Sequence, residues 1–160
     1  MKKYLFAASL LGLSLGSAMA QDKAGPDHVF VTKAAMSNMF EIESSKVAVE
    51  KAKDPEIKKF AQQMISDHTK AGKEMMAVAP DAPKELDAAH LAKVEKLKEA
   101  EGEKFDAAYI DEQVVAHDEA VALFTKFSTE AETPKLKEFA AKTLPTLKEH
   151  QEHVKDLNNK

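Results

Sequence analysis

From Ile57 onward the chain sets Ala61, Met64, Ala71, Met75 and Val78 at alternating intervals of four and three residues, with His68 where the next apolar side chain would fall. That rhythm is the period of a helix with one buried face. The same rhythm picks out Phe30, Ala34, Ser37, Glu41, Ser44 and Ala48, then Ile110, Val114, His117, Val121 and Phe124. A last stripe runs through Leu136, Ala140, Thr143, Leu147, His150, Val154 and Leu157. Each stripe carries one ionisable residue: Glu41, His68, His117 and His150. The remaining histidines, His28, His90 and His153, fall off the stripes.

Helix-start signals divide the pattern. Asp54-Pro55 and Thr133-Pro134 each read as a capping residue followed by proline in the first helical position. Pro80 and Pro83 stop the second stripe, and Gly102 separates a shorter segment from the third. The predicted helices cover residues 27–52, 55–79, 86–100, 103–128 and 134–157. Pro145 lies inside the last and predicts a kink, because its ring removes a backbone donor.

"DPEIKKFA" from Asp54 and "TPKLKEFA" from Thr133 form a weak internal repeat of two copies. Two similar helical hairpins joined by a long connection predict an all-α antiparallel four-helix bundle over 27–158, with a short extra helix in the connection. One crossover and simple up-down-up-down wiring both fit. In an antiparallel hairpin, residues equidistant from the turn lie level. Glu41 and His68 are centred on the Asp54-Pro55 turn, and His117 and His150 on Thr133-Pro134. At 1.5 Å per residue the two pairs sit roughly 20 and 25 Å from their turns, so either wiring brings all four within about one helical turn.

Composition narrows the chemistry. The first twenty residues, MKKYLFAASLLGLSLGSAMA, have a basic start, an apolar run and a small-x-small end, the pattern of an export signal cleaved after Ala20. The apolar run is too short to span a bilayer, and membrane insertion of the remaining chain is not expected. Cysteine is absent, which excludes disulfides, thiolate metal sites and a lipid-modified cysteine. These features together predict a periplasmic protein. Without the two lysines of the signal, 21 basic residues face 27 acidic ones, and every basic residue is lysine. Arginine forks for phosphate and guanine are therefore missing, so nucleic acid is not expected as a partner.

Three neutral imidazoles and a carboxylate suit one divalent transition metal, so Glu41, His68, His117 and His150 are the candidate ligands. The alternative is a hydrogen-bonded polar layer that fixes helix register without metal. Other residues carry paired readings. Glu43 faces away from Glu41 and is either a reserve ligand or a salt-bridge partner. Asp67 either faces solvent or orients a neighbouring ligand. Asp106 and Tyr109 open the fourth predicted helix, as a cap and as a hydroxyl reaching the polar layer. Met64, with Met39 and Met75 elsewhere, allows a Met/His copper site, although methionine also fills irregular cores. No nucleophile–base arrangement, phosphate loop or H-E-x-x-H motif occurs.

The stretches "FVTKAAMSNMFEIESSKVA", "IKKFAQQMISDH", "EKFDAAYIDEQVVAH" and "LPTLKEHQEHV" carry a resemblance as well. In combination, from about Phe30 to Leu157, they resemble the domain-of-unknown-function family 4142. The resemblance implies a ferritin-like exported bundle, often labelled an outer-membrane protein, with no established reaction. Ferritin-like carboxylate proteins hold two metals through paired Glu and Glu-x-x-His positions. Here Ile65 and Leu147 stand three residues before His68 and His150, and His117 stands where a second carboxylate would be. A mononuclear or differently ligated site is expected instead of a di-iron centre. Three function classes follow: a metal-binding protein, an envelope interaction or stress protein whose polar layer is structural, and, by fold analogy alone, an oxidoreductase.

Overall fold

The computed structural model describes residues 25–160, so the export signal expected over 1–20 lies outside the described residues. Five helices follow in order: α1 (Pro26–Lys51), α2 (Pro55–Val78), α3 (Ala88–Glu99), α4 (Glu103–Glu130) and α5 (Pro134–Asn158). The fold is all-α among the described residues, and the helix ends fall within two residues of the expected ones. α5 runs unbroken through Pro145.

Local chemistry sets the ends. The Asp54 carboxylate accepts from the Glu56 amide at 2.7 Å, and Asp87 accepts from the His90 amide at 2.9 Å. Gly102 precedes α4 at φ 62°, a left-handed conformation that favours glycine. Thr133, expected to cap α5, makes no capping bond with its side chain. The amides of that turn are instead held from the far end of the chain: Glu132 and Thr133 donate to the Asp27 carboxylate at 3.0 and 2.7 Å. The other hairpin mirrors this. Lys53 and Asp54 donate to Asp106 at 3.0 Å each. Asp106 thus closes the α1–α2 turn instead of capping its own helix.

These clamps reveal the direction of each helix. α4 starts where α1 ends and α2 begins, and α1 starts where α4 ends. α1 packs on α2 and α4, and α5 packs on α4 and α2. The connection between α2 and α4 therefore returns along the molecule, carrying α3 on the outside of α1.

The buried face of α4 differs from the expected stripe. Of the expected stripe Ile110, His117 and Phe124 are buried while Val114 and Val121 are half-buried, and Phe105, Tyr109, Gln113, Ala120 and Phe127 are buried as well. α4 packs against both α1 and α5, and this turns its face by one residue toward the pair. Two apolar clusters result. Phe60, Phe105, Tyr109 and Val154 anchor one, and Phe30, Phe124, Phe127 and Phe139 the other. Burying each such ring contributes about 1.5–3 kcal/mol. Between them lies a polar layer of Glu41, Ser44, Ser45, His68, Gln113, His117 and His150.

Candidate metal centre

His68 of α2, His117 of α4 and His150 of α5 converge in this layer. Their ring centroids are 5.9 Å apart for His68–His117, and 5.5 Å for both His68–His150 and His117–His150. One nitrogen from each ring lies within 4.8 Å of the others. The three side chains are 5%, 1% and 1% exposed.

Each ring is held from outside by an oxygen acceptor. His68 Nδ1 donates to Asn38 Oδ1 at 3.2 Å, His117 Nδ1 to the Gln113 carbonyl at 2.9 Å, and His150 Nε2 to Asp67 Oδ2 at 2.9 Å. A neutral imidazole has one donor and one lone pair, so these bonds assign the lone pairs. They belong to His68 Nε2, His117 Nε2 and His150 Nδ1, the three buried ring nitrogens with no hydrogen-bond partner. An outer acceptor that fixes the tautomer and aims the free nitrogen is the usual support of a metal-ligating histidine.

Burial disfavours charge on Glu41, His68 and His117. Desolvation pushes the Glu41 carboxyl up to about 8 and His117 down to about 4. His68 is depressed well below its ordinary value, first by burial and then by the neighbouring His117 and His150. Glu41 Oε1 stands 3.8 Å from His117 Nδ1, the side of the ring that faces Gln113. At neutral pH this is a carboxylic acid beside a neutral imidazole. Both Glu41 oxygens lack a partner, as does Gln113 Oε1. Leaving such buried groups unpaired costs about 1–3 kcal/mol each, which makes this the most expensive region of the interior.

Other candidates sort clearly. Glu43 pairs with Lys46 at 2.7 Å on the surface. Asp67, 35% exposed, orients His150, the second of its two readings. Tyr109 spends its hydroxyl on Ser45 at 2.8 Å. Met64 is fully buried among apolar neighbours. Asn38 and Gln113 escaped the sequence reading. Gln113 has a signal in retrospect, an uncharged amide one helical turn before His117 on an apolar face. Beside His68 a void of about 20 Å³, walled by Ala34, Ala71, Met75 and Leu147, has room for about one water.

A family model described as Domain of unknown function (DUF4142) matches residues 13–157. The solved structure of CopM in the Cu(II)-bound form is similar in fold, with a TM-score of 0.68 and 19% identity over 84% of this chain and 95% of the CopM chain. No curated protein matches the sequence.

Proposed function

The chain belongs to the DUF4142 family, and we propose that it holds a single transition-metal ion on His68, His117 and His150, with the Glu41 carboxyl in the same buried layer. The observation that carries this reading is that three clustered rings are each held by an outer acceptor on one nitrogen and leave the other buried without a partner. An imidazole set of this kind suits copper, zinc, iron or nickel. The fold likeness to CopM, a protein solved with Cu(II), favours copper. A bound ion would neutralise the cost of the lone pairs and supply Lewis-acid character; the chain's own residues orient the rings, hold their protons outward and exclude water. Because the void beside the site fits about one water, the site suits keeping or passing on a metal better than acting on an organic substrate.

The wiring described above also supports a ferritin-like four-helix bundle with one crossover, in which α3 is the extra helix. We read the protein as periplasmic, from the export signal expected over 1–20. No described helix is long and apolar enough to cross a membrane.

Elemental analysis of untagged protein, beside a His68→Ala/His117→Ala variant, tests the reading. About one transition-metal ion per chain, lost in the variant, is the expected outcome. Folded wild type that takes up no metal would sink it. A second reading, docking to an envelope protein, is favoured by one observation: Leu91 of α3 and Val115 of α4 are 49% and 50% exposed, and Val115 lines the open groove between α1, α3 and α4.

A further inference from the structure

Methionine is distributed unevenly in the described residues. Met36, Met39, Met64, Met75 and Met76 all belong to α1 and α2, and α3, α4 and α5 have none. Three of them, Met39, Met75 and Met76, line one surface pocket of about 350 Å³ between α1, α2 and the Ala82–Pro83 turn. Met39 and Met76 are half-buried, at the surface end, and Met75 is buried. The only charged side chain of the lining is Lys84, so no carboxylate is offered to a hard cation.

This pocket is not isolated from the histidines. Asn38 and Met75 line both it and the small void that touches His68. Asn38 is also the residue that holds His68 Nδ1. Gly72 makes room for it, since a Cβ there would meet Asn38 Nδ2 at 2.9 Å. A line of thioethers thus leads from the surface to one amide, and that amide holds a candidate ligand.

We propose that Met39, Met75 and Met76 form a docking site for a soft monovalent ion, cuprous copper, and that the ion passes to His68 along the wall shared by Asn38 and Met75. Thioethers select soft ions and offer little to divalent zinc or manganese. The transfer exchanges sulfur–copper bonds for nitrogen–copper bonds with no change of oxidation state, so no oxidant is needed. The destination rests on the metal reading above; the thioether site does not.

The test uses the full-length protein without its signal, labelled with ¹³C at the methionine methyls and titrated anaerobically with tetrakis(acetonitrile)copper(I). Expected are shifts of the Met39, Met75 and Met76 methyls below one equivalent, both in the wild type and in His68→Ala/His117→Ala. Unmoved methyls in both proteins would overturn the docking site. If the methyls move but the wild-type histidine ring signals do not, the site stands and the transfer is refuted, while the metal reading is decided separately by the elemental analysis. Met39→Leu/Met76→Leu keeps volume and apolarity, so it should fold. It should slow the histidine ring shifts at least about tenfold without lowering final occupancy. Loading at the wild-type rate would refute the route.

Discussion

The two helical hairpins, α1–α2 and α4–α5, are built to one plan and finished differently. A shift of 79 residues superimposes Asp27 on Asp106, Phe30 on Tyr109, Asp54-Pro55 on Thr133-Pro134, Phe60 on Phe139 and Ala61 on Ala140. All of these belong to the turns, the clamps or the apolar clusters. In the middle the correspondence breaks. Asn38 answers to His117, Glu41 to Ala120, His68 to Leu147 and Ala71 to His150. The ends repeat because turn amides and ring packing allow few solutions. The middle diverges because a three-nitrogen site between two similar halves has to be asymmetric.

The comparison is most severely tested in the apolar clusters. Phe60→Ala and Phe139→Ala should each cost about 3–5 kcal/mol in urea unfolding, since equivalent rings are buried in both hairpins. Phe60→Ala should also loosen the site more than Phe139→Ala does, because the Phe60 ring stands edge-on to His150 at 6.3 Å, whereas Phe139 only borders the void beside His68. Equal metal uptake by the two variants would contradict this asymmetry.

Titration separates Glu41 from its counterpart Ala120. Between pH 4.5 and about 8 the folded metal-free protein keeps a proton on Glu41 that the unfolded chain has lost, so this group lowers stability as pH rises. His68 and His117 act in the opposite sense. Below about 6.5 the unfolded chain takes up protons that the buried rings refuse, so their contribution is lost as pH falls toward 4. Metal-free stability should therefore peak near pH 6.5. The net proton difference grows from zero at the peak and stays below one, which predicts a fall of about 1 kcal/mol from there to pH 8. Denaturation midpoints across this range should show it, and Glu41→Gln should flatten the alkaline limb. An unchanged limb in that variant would remove Glu41 from the account.

A smaller effect concerns Asp67, whose counterpart is Thr146. Asp67→Ala frees the His150 ring and should weaken metal affinity about 10–100-fold, with little change in metal-free stability. Competition with a chelator would measure it. The smallest effect should be the most symmetrical. Asp27→Ala and Asp106→Ala each release two turn amides, and each should cost about 1 kcal/mol, the scale of a lost helix cap. Contacts with the Thr133 side chain, and then with the Glu132 and Thr133 amides, hold Asp27 below its ordinary value. Its contribution should therefore persist at neutral pH and fade only as acid protonates it. Markedly unequal costs would break the idea of one repeated clamp.

The sequence exposes some of this and hides the rest for physical reasons. Stripe spacing reveals His68, His117 and His150 because a helical face is periodic, and turn signals give the ends because proline and capping residues act locally. Wiring escapes, since residues equidistant from a turn lie level in either topology. The information that distinguishes the wirings sits in Asp27 and Asp106, which act on turns more than fifty residues away. Asn38 escapes too. A half-buried amide on α1 looks like surface until the partner thirty positions later is placed beside it.

The polar layer that separates the two apolar clusters also bears on how the molecule breathes. Each cluster draws side chains from both hairpins, so either end can stay closed while the other opens. Without an ion, amide hydrogen exchange should resolve the molecule into two units that meet at the histidines. With three ligands from three helices gripping one ion, the boundary becomes a rivet, and the two halves should exchange as one.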